Sequence, residues 1–138
     1  MEARLGCGQL DDEEFLRAFE ECKLAHGTFH HADHIRLAWI YVNRLGAEAA
    51  QQRLLTGIQK MAVHAGAPKK FLHTTTVAWA RLVAAASGDR PADESFSAWI
   101  QRHPELLNRD LLGKHYSRGR LETEAARSGW VEPDLAPL

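Results

Sequence analysis

The chain has no apolar run approaching the roughly 20 residues that span a bilayer as a helix, so no membrane span is expected. Cysteine is scarce. Two residues, Cys7 and Cys22, are too few for the usual secreted disulfide framework, and both are expected reduced. Charge of one sign is not in excess either. Seventeen basic and 18 acidic side chains leave a formal net charge of -1, which argues against nucleic acid or an anionic membrane as partner. The opening residues MEARLGCGQLDDEEF turn acidic at once and carry no apolar segment of a signal peptide. A phosphate loop, a dinucleotide fingerprint and a serine nucleophile elbow are all missing. Repeats, low-complexity runs and long linkers are missing too, so the 138 residues are expected to form one domain. These absences point to a bacterial-type cytoplasmic protein with a small-molecule partner, and they are compatible with a homodimer.

Histidine and tryptophan are present in quantity. There are eight histidines, four of them between His26 and His34, and four tryptophans. Trp39, Trp79, Trp99 and Trp130 read as core or pocket walls.

Helical signals run through the chain, and no alternating strand pattern stands out. Residues 1–10 are expected to fray. Asp11 or Asp12 caps a first helix running to about His26, with Glu13 and Glu14 at its positive end and Gly27 as its stop. Phe15, Leu16, Phe19, Cys22 and His26 share one of its faces. Thr28 caps a second helix over about 29–45, whose apolar stripe includes Ile35, Ala38, Tyr41, Val42 and Leu45. A third helix covers about 47–65 and stops at Gly66 and Pro68. A fourth covers about 69–86 and is apolar almost all round, as a buried helix is. Its threonines lower helix propensity and make a strand the alternative there. Gly88 to Pro91 form a turn. Asp93 caps a short helix to about Arg102, and one or two short helical pieces follow Pro104. A helical turn or two lies around Glu122–Arg127. The tail from Trp130 is an extended strap held by apolar side chains. The expected fold is all-α, a compact bundle of four main helices with short C-terminal helices and an extended tail.

On a helical projection with His34 at zero, His31 falls at about 60° and His30 at about -40°, on the apolar stripe. An unpartnered buried polar group costs about 1–3 kcal/mol, so three imidazoles on that stripe require hydrogen-bond partners or a metal. His31 and His34 are three residues apart and His30 and His34 four apart, so either pair can address one ion. His73, on a small apolar face of the fourth helix, is the best third ligand, because bundle metal sites draw on facing helices. His30 and His26 are reserves, and Asp33 is placed to orient a ligand or act in catalysis. His26 also fits as a helix-terminal imidazolium. Imidazole-rich sites suit Zn, Fe, Ni or Cu, with Zn or Fe the leading cofactors. The segment Lys114 to Arg120 supplies Tyr116 as a catalytic group and Arg118 or Arg120, with Arg118 preferred, as the holder of a substrate carboxylate or phosphate. Tyr41 is added to the substrate-binding set. His64 and His103 read as peripheral, and Arg127 as a partner for Glu132 or Asp134. Cys22 beside His26 is a weak nucleophile candidate, because a helix C-terminus raises a thiol pKa.

The run Phe29-His30-His31-Ala32-Asp33-His34-Ile35-Arg36-Leu37-Ala38-Trp39 resembles a segment of a small bacterial family of uncharacterised helical proteins. The ending Ala126-Arg127-Ser128-Gly129-Trp130-Val131-Glu132-Pro133-Asp134-Leu135 is similar to the ending of that family. Phe71-Leu72-His73-Thr74-Thr75-Thr76 resembles a segment that tends to read Tyr-His-Glu-Thr in relatives, so Thr74 stands where a glutamate would be. The resemblance covers about residues 12 to 138. It implies that His31, His34 and His73 belong together, and it carries no assigned activity.

Three functions compete. The leading one is a metal-dependent hydrolytic or oxidative enzyme on a small molecule, with ligands His31, His34 and His73. The second is a metal-free acid–base enzyme, such as an isomerase, cyclase or lyase. The third is a non-enzymatic binding or scaffold protein with structural histidines.

Overall fold

A computed structural model describes residues 10–24, 29–88 and 94–138. The described residues hold helices and no strands, so the fold is all-α. The expectations placed on Cys7, His26, Gly27, Thr28, the Asp89–Pro91 turn and Asp93 lie outside the described residues.

The first helix, α1, runs Asp12–Glu20 and buries Phe15 and Phe19. Its start is a reciprocal cap. The Asp11 carboxylate accepts the Glu14 N–H at 2.8 Å, and the Glu14 carboxylate accepts the Asp11 N–H at 3.2 Å. It ends earlier than the apolar spacing predicts. Cys22 turns to a φ of 57°, its N–H bonds the Phe19 carbonyl at 3.1 Å, and the Lys23 N–H bonds the Ala18 carbonyl at 2.7 Å. This is a Schellman ending built without glycine. It takes Cys22 off the helix face on which it was expected.

Helix α2, His31–Leu45, buries Ile35, Leu37, Ala38, Trp39, Ile40 and Tyr41. It starts after His30 rather than after Thr28, because the Asp33 carboxylate accepts the His30 N–H at 2.9 Å. On its outer flank Arg36 bonds Asp12 at 2.9 Å and lies 4.6 Å above the Phe15 ring, tying α2 to α1. Gly46, with φ 87°, ends α2 and allows the immediate turn into α3, Ala47–His64. A 3-10 turn at Pro68–Lys70 then leads to α4, His73–Ala86. Residues 69–72, expected inside that helix, lie outside it, because Pro68 opens a separate turn. Helix α4 buries Thr74, Thr76, Val77, Ala78, Trp79, Ala80 and Val83, as its apolar circumference requires.

Helices α2, α3 and α4 pack mutually and form the body of the bundle. Helix α5, Phe96–Arg102, is capped by Ser95, whose hydroxyl accepts the Ala98 N–H at 3.1 Å. It drives a fully buried Trp99 against Trp39 and Phe96. His103 is not peripheral: its ring lies 5.2 Å from Trp99 and its Nε2 is buried without a partner. Two 3-10 segments follow, Pro104–Leu107 and Arg109–Lys114. Short helices α6, Arg118–Leu121, and α7, Glu124–Ser128, lead to the tail, and α7 packs on α4. The tail is strapped down as expected. The Tyr116 hydroxyl donates to the Val131 carbonyl at 2.7 Å, and Asp134 accepts from the Ser117 N–H and hydroxyl at 2.8 and 2.6 Å. Trp130 packs under the Arg81 guanidinium at 4.1 Å.

Candidate functional site

The N-terminal turn of α2, the start of α4, the Arg109–Lys114 3-10 segment and the short helices α6 and α7 border an open cleft of about 1150 Å³. His30, His31 and His34 reach it from α2 and Trp79 from α4. Trp79, Leu112 and Tyr116 are its buried wall, while Lys70, Arg109, Arg118 and Arg127 are exposed cations along it.

His31 is held most firmly. Its Nε2 lies 2.8 Å from the Leu106 carbonyl, and its ring meets Trp79 edge-on at 4.5 Å. A carbonyl only accepts, so Nε2 carries the proton and, in the neutral ring, Nδ1 is left with the basic lone pair. Burial pushes the His31 pKa down; the Leu106 carbonyl opposes this, and nearby Arg109 adds to the depression. The ring is therefore neutral at pH 7. Leu106 can supply that carbonyl because the 3-10 segment packs on α2 with the Leu106 side chain buried.

His34 is one turn further in. Phe29 covers it, ring centres 6.2 Å apart. The residue keeps some surface, but its Nε2 is buried and makes no hydrogen bond. Burial, with a smaller contribution from His31, pushes its pKa down to about 4. Two neutral imidazoles thus share the cleft wall.

The structure brings some of the expected residues together and leaves others apart. His31, His34, His30, Tyr116 and Arg118 all line the cleft. His73 does not. It is the first residue of α4 and packs its ring against Phe71 at 6.2 Å. Among the described residues no three of His, Cys, Asp and Glu converge as a metal-binding group, so His31, His34 and His73 do not form one. Asp33 is spent on capping α2. Tyr41 is buried away from the cleft and donates to Glu20 at 2.7 Å, its pKa raised by burial and by that carboxylate. Tyr116 offers its ring to the cleft but gives its hydroxyl proton to Val131. Arg118 is 92% exposed and pairs with Glu122 at 2.9 Å.

Sequence reasoning passed over the cleft cations Lys70 and Arg109 and assigned a third, Arg127, to the tail. Arg127 was expected to pair with Glu132 or Asp134, but no ion pair among the described residues joins it to either; Glu132 accepts the Trp130 Nε1–H at 2.9 Å and Asp134 accepts from Ser117. These three lie on or beside short turns and helices, where no periodicity distinguishes a cleft-lining cation from a solvated one.

Comparison of the chain with protein-family models, with curated proteins and with solved structures gives no match in any of the three.

Proposed function

We propose that the cleft is the site of a small-molecule enzyme of the acid–base type, an isomerase, lyase or cyclase, with the His31 imidazole as proton acceptor. The observation that carries this reading is the 2.8 Å bond from His31 Nε2 to the Leu106 carbonyl. It fixes the tautomer and leaves Nδ1 basic on a ring kept neutral, which is what a general base needs at pH 7. His34 is a second proton-relay group whose buried Nε2 lacks a partner within the protein. Tyr116 and Trp79 act as walls rather than as acids.

The metal-dependent reading is the second one. A ring nitrogen backed by a carbonyl on the other nitrogen is the usual posture of a histidine ligand, and the unsatisfied His34 Nε2 beside it also supports a metal. It ranks second because the described residues bring no third ligand to the pair.

The test is a turnover screen of small organic substrates with an acidic C–H or O–H, comparing wild type with His31→Gln. Glutamine can keep a donor toward Leu106 but has no basic nitrogen. A loss of about 10²-fold or more with the fold retained supports the reading. Turnover unchanged in His31→Gln overturns it.

A further inference from the structure

Taking the cleft as a substrate site, we infer that its ligand is a doubly charged organic anion, seated on Lys70, Arg109 and Arg127 with its apolar part against Leu72, Trp79 and Leu121. The charge along the cleft carries this inference. Four cations and two carboxylates, Asp110 and Glu122, line it. Arg118 and Glu122 neutralise each other. Three cations then face one carboxylate, and the remaining two positive charges match a dianion such as a phosphomonoester or a dicarboxylate.

Two further features favour an anion. The first turn of α2 opens into the cleft through His30, His31 and Ala32, and a 15-residue helix concentrates positive potential there. The N–H groups of Asp33 and His34 are bonded back to the His30 carbonyl, and among the described residues no backbone carbonyl outside the helix accepts from those of His31 and Ala32. The buried His34 Nε2 in the same wall is a polar position that the protein itself does not satisfy, and in the tautomer that carries its proton there it donates to an anion. The apolar lining asks for more than a bare ion. Trp79 and Leu112 are buried, with Leu72 and Leu121 partly exposed beside them.

The experiment is a calorimetric or NMR titration of the full chain, at low ionic strength, with phenyl phosphate, phthalate, benzoate and benzyl alcohol. At least one dianion is expected to bind about tenfold or more tighter than benzoate, with benzyl alcohol weaker still. Whether phenyl phosphate or phthalate leads distinguishes a phosphate from a dicarboxylate ligand. Arg109→Gln and Arg127→Gln are each expected to weaken the better dianion about tenfold. The double variant Arg118→Gln/Glu122→Gln removes the neutralised pair at constant net charge and changes it less than about twofold. All these side chains are exposed, and unchanged thermal unfolding verifies the fold of each variant. Benzyl alcohol binding as tightly as both dianions overturns the inference, as does full dianion affinity in both Arg109→Gln and Arg127→Gln. So does the absence of saturable dianion binding at about 10 mM. His31→Gln separates this inference from the acid–base reading. Dianion binding kept in that variant while turnover is lost supports both, and dianion binding kept with turnover unchanged overturns the acid–base reading alone.

Discussion

Thr74 and Val131 meet through one hydroxyl. The Thr74 Oγ1 accepts the Val131 N–H at 3.1 Å and donates to the Gly129 carbonyl at 2.6 Å, so a fully buried residue of α4 holds two backbone groups of the tail. The Val131 carbonyl in turn accepts the Tyr116 hydroxyl, whose ring lines the cleft. Thr74 is therefore a clamp that braces one wall of the cleft.

Thr74→Val keeps the shape and deletes the hydroxyl. It leaves the Gly129 carbonyl and the Val131 N–H without that partner, and the expected cost is about 1–3 kcal/mol. Urea unfolding measures it. A cost below about 0.5 kcal/mol contradicts the clamp.

Gly57→Ala is expected to destabilise despite alanine's better helix propensity. A Cβ at Gly57 would fall on the ring of the buried Phe19, whose Cζ would lie 2.6 Å away. Overpacking of this kind costs about 1–3 kcal/mol, against about 1 kcal/mol gained in propensity. Thermal unfolding decides the sign. A rise in Tm contradicts the seating of Phe19 in the groove that Gly57 leaves.

Stability is expected to fall in acid through His34. Its folded-state pKa is pushed down to about 4, against about 6.5 unfolded. Between those values the unfolded chain binds a proton that the folded one refuses. Stability is therefore complete above about pH 6.5 and is lost as pH falls toward 4, by an amount on the order of 3 kcal/mol. Denaturant titrations of wild type and His34→Leu at pH 7 and pH 4.5 isolate this contribution. The variant should lose distinctly less on acidification, and equal losses contradict the burial of a neutral His34.

Chelation separates the two catalytic readings. Under the acid–base reading, protein stripped with EDTA and dipicolinate keeps its turnover, and the purified protein carries far less than one equivalent of Zn or Fe. Near-stoichiometric metal that disappears in His31→Ala and His34→Ala, together with activity lost on stripping, favours the metal reading.

The helical class and the main body were legible because α2 and α3 carry amphipathic stripes and α4 an apolar circumference, and because Gly46, Gly66 and Pro68 punctuate them. The strap was legible from Trp130 and Val131, which have no reason to be apolar in a free tail. The helix starts were less so. The end of α1 at a left-handed Cys22 has no glycine signal, and the start of α2 depends on Asp33 reaching back to His30. At the site, the pairing of His31 with His34 followed from helical spacing alone. The Leu106 carbonyl behind His31 did not, because it arrives through the packing of a 3-10 segment 75 residues away. Arg109 and Lys70 were missed for the same reason. The anion holder expected from local charge density, Arg118, instead pairs within its own helical turn with Glu122.

The most direct measurement is the ¹⁵N NMR spectrum of the imidazole rings at pH 7. The account predicts a neutral His31 with its proton on Nε2 and an unprotonated Nδ1. A His31 protonated on Nδ1, or charged at pH 7, contradicts it and removes the general base from the cleft.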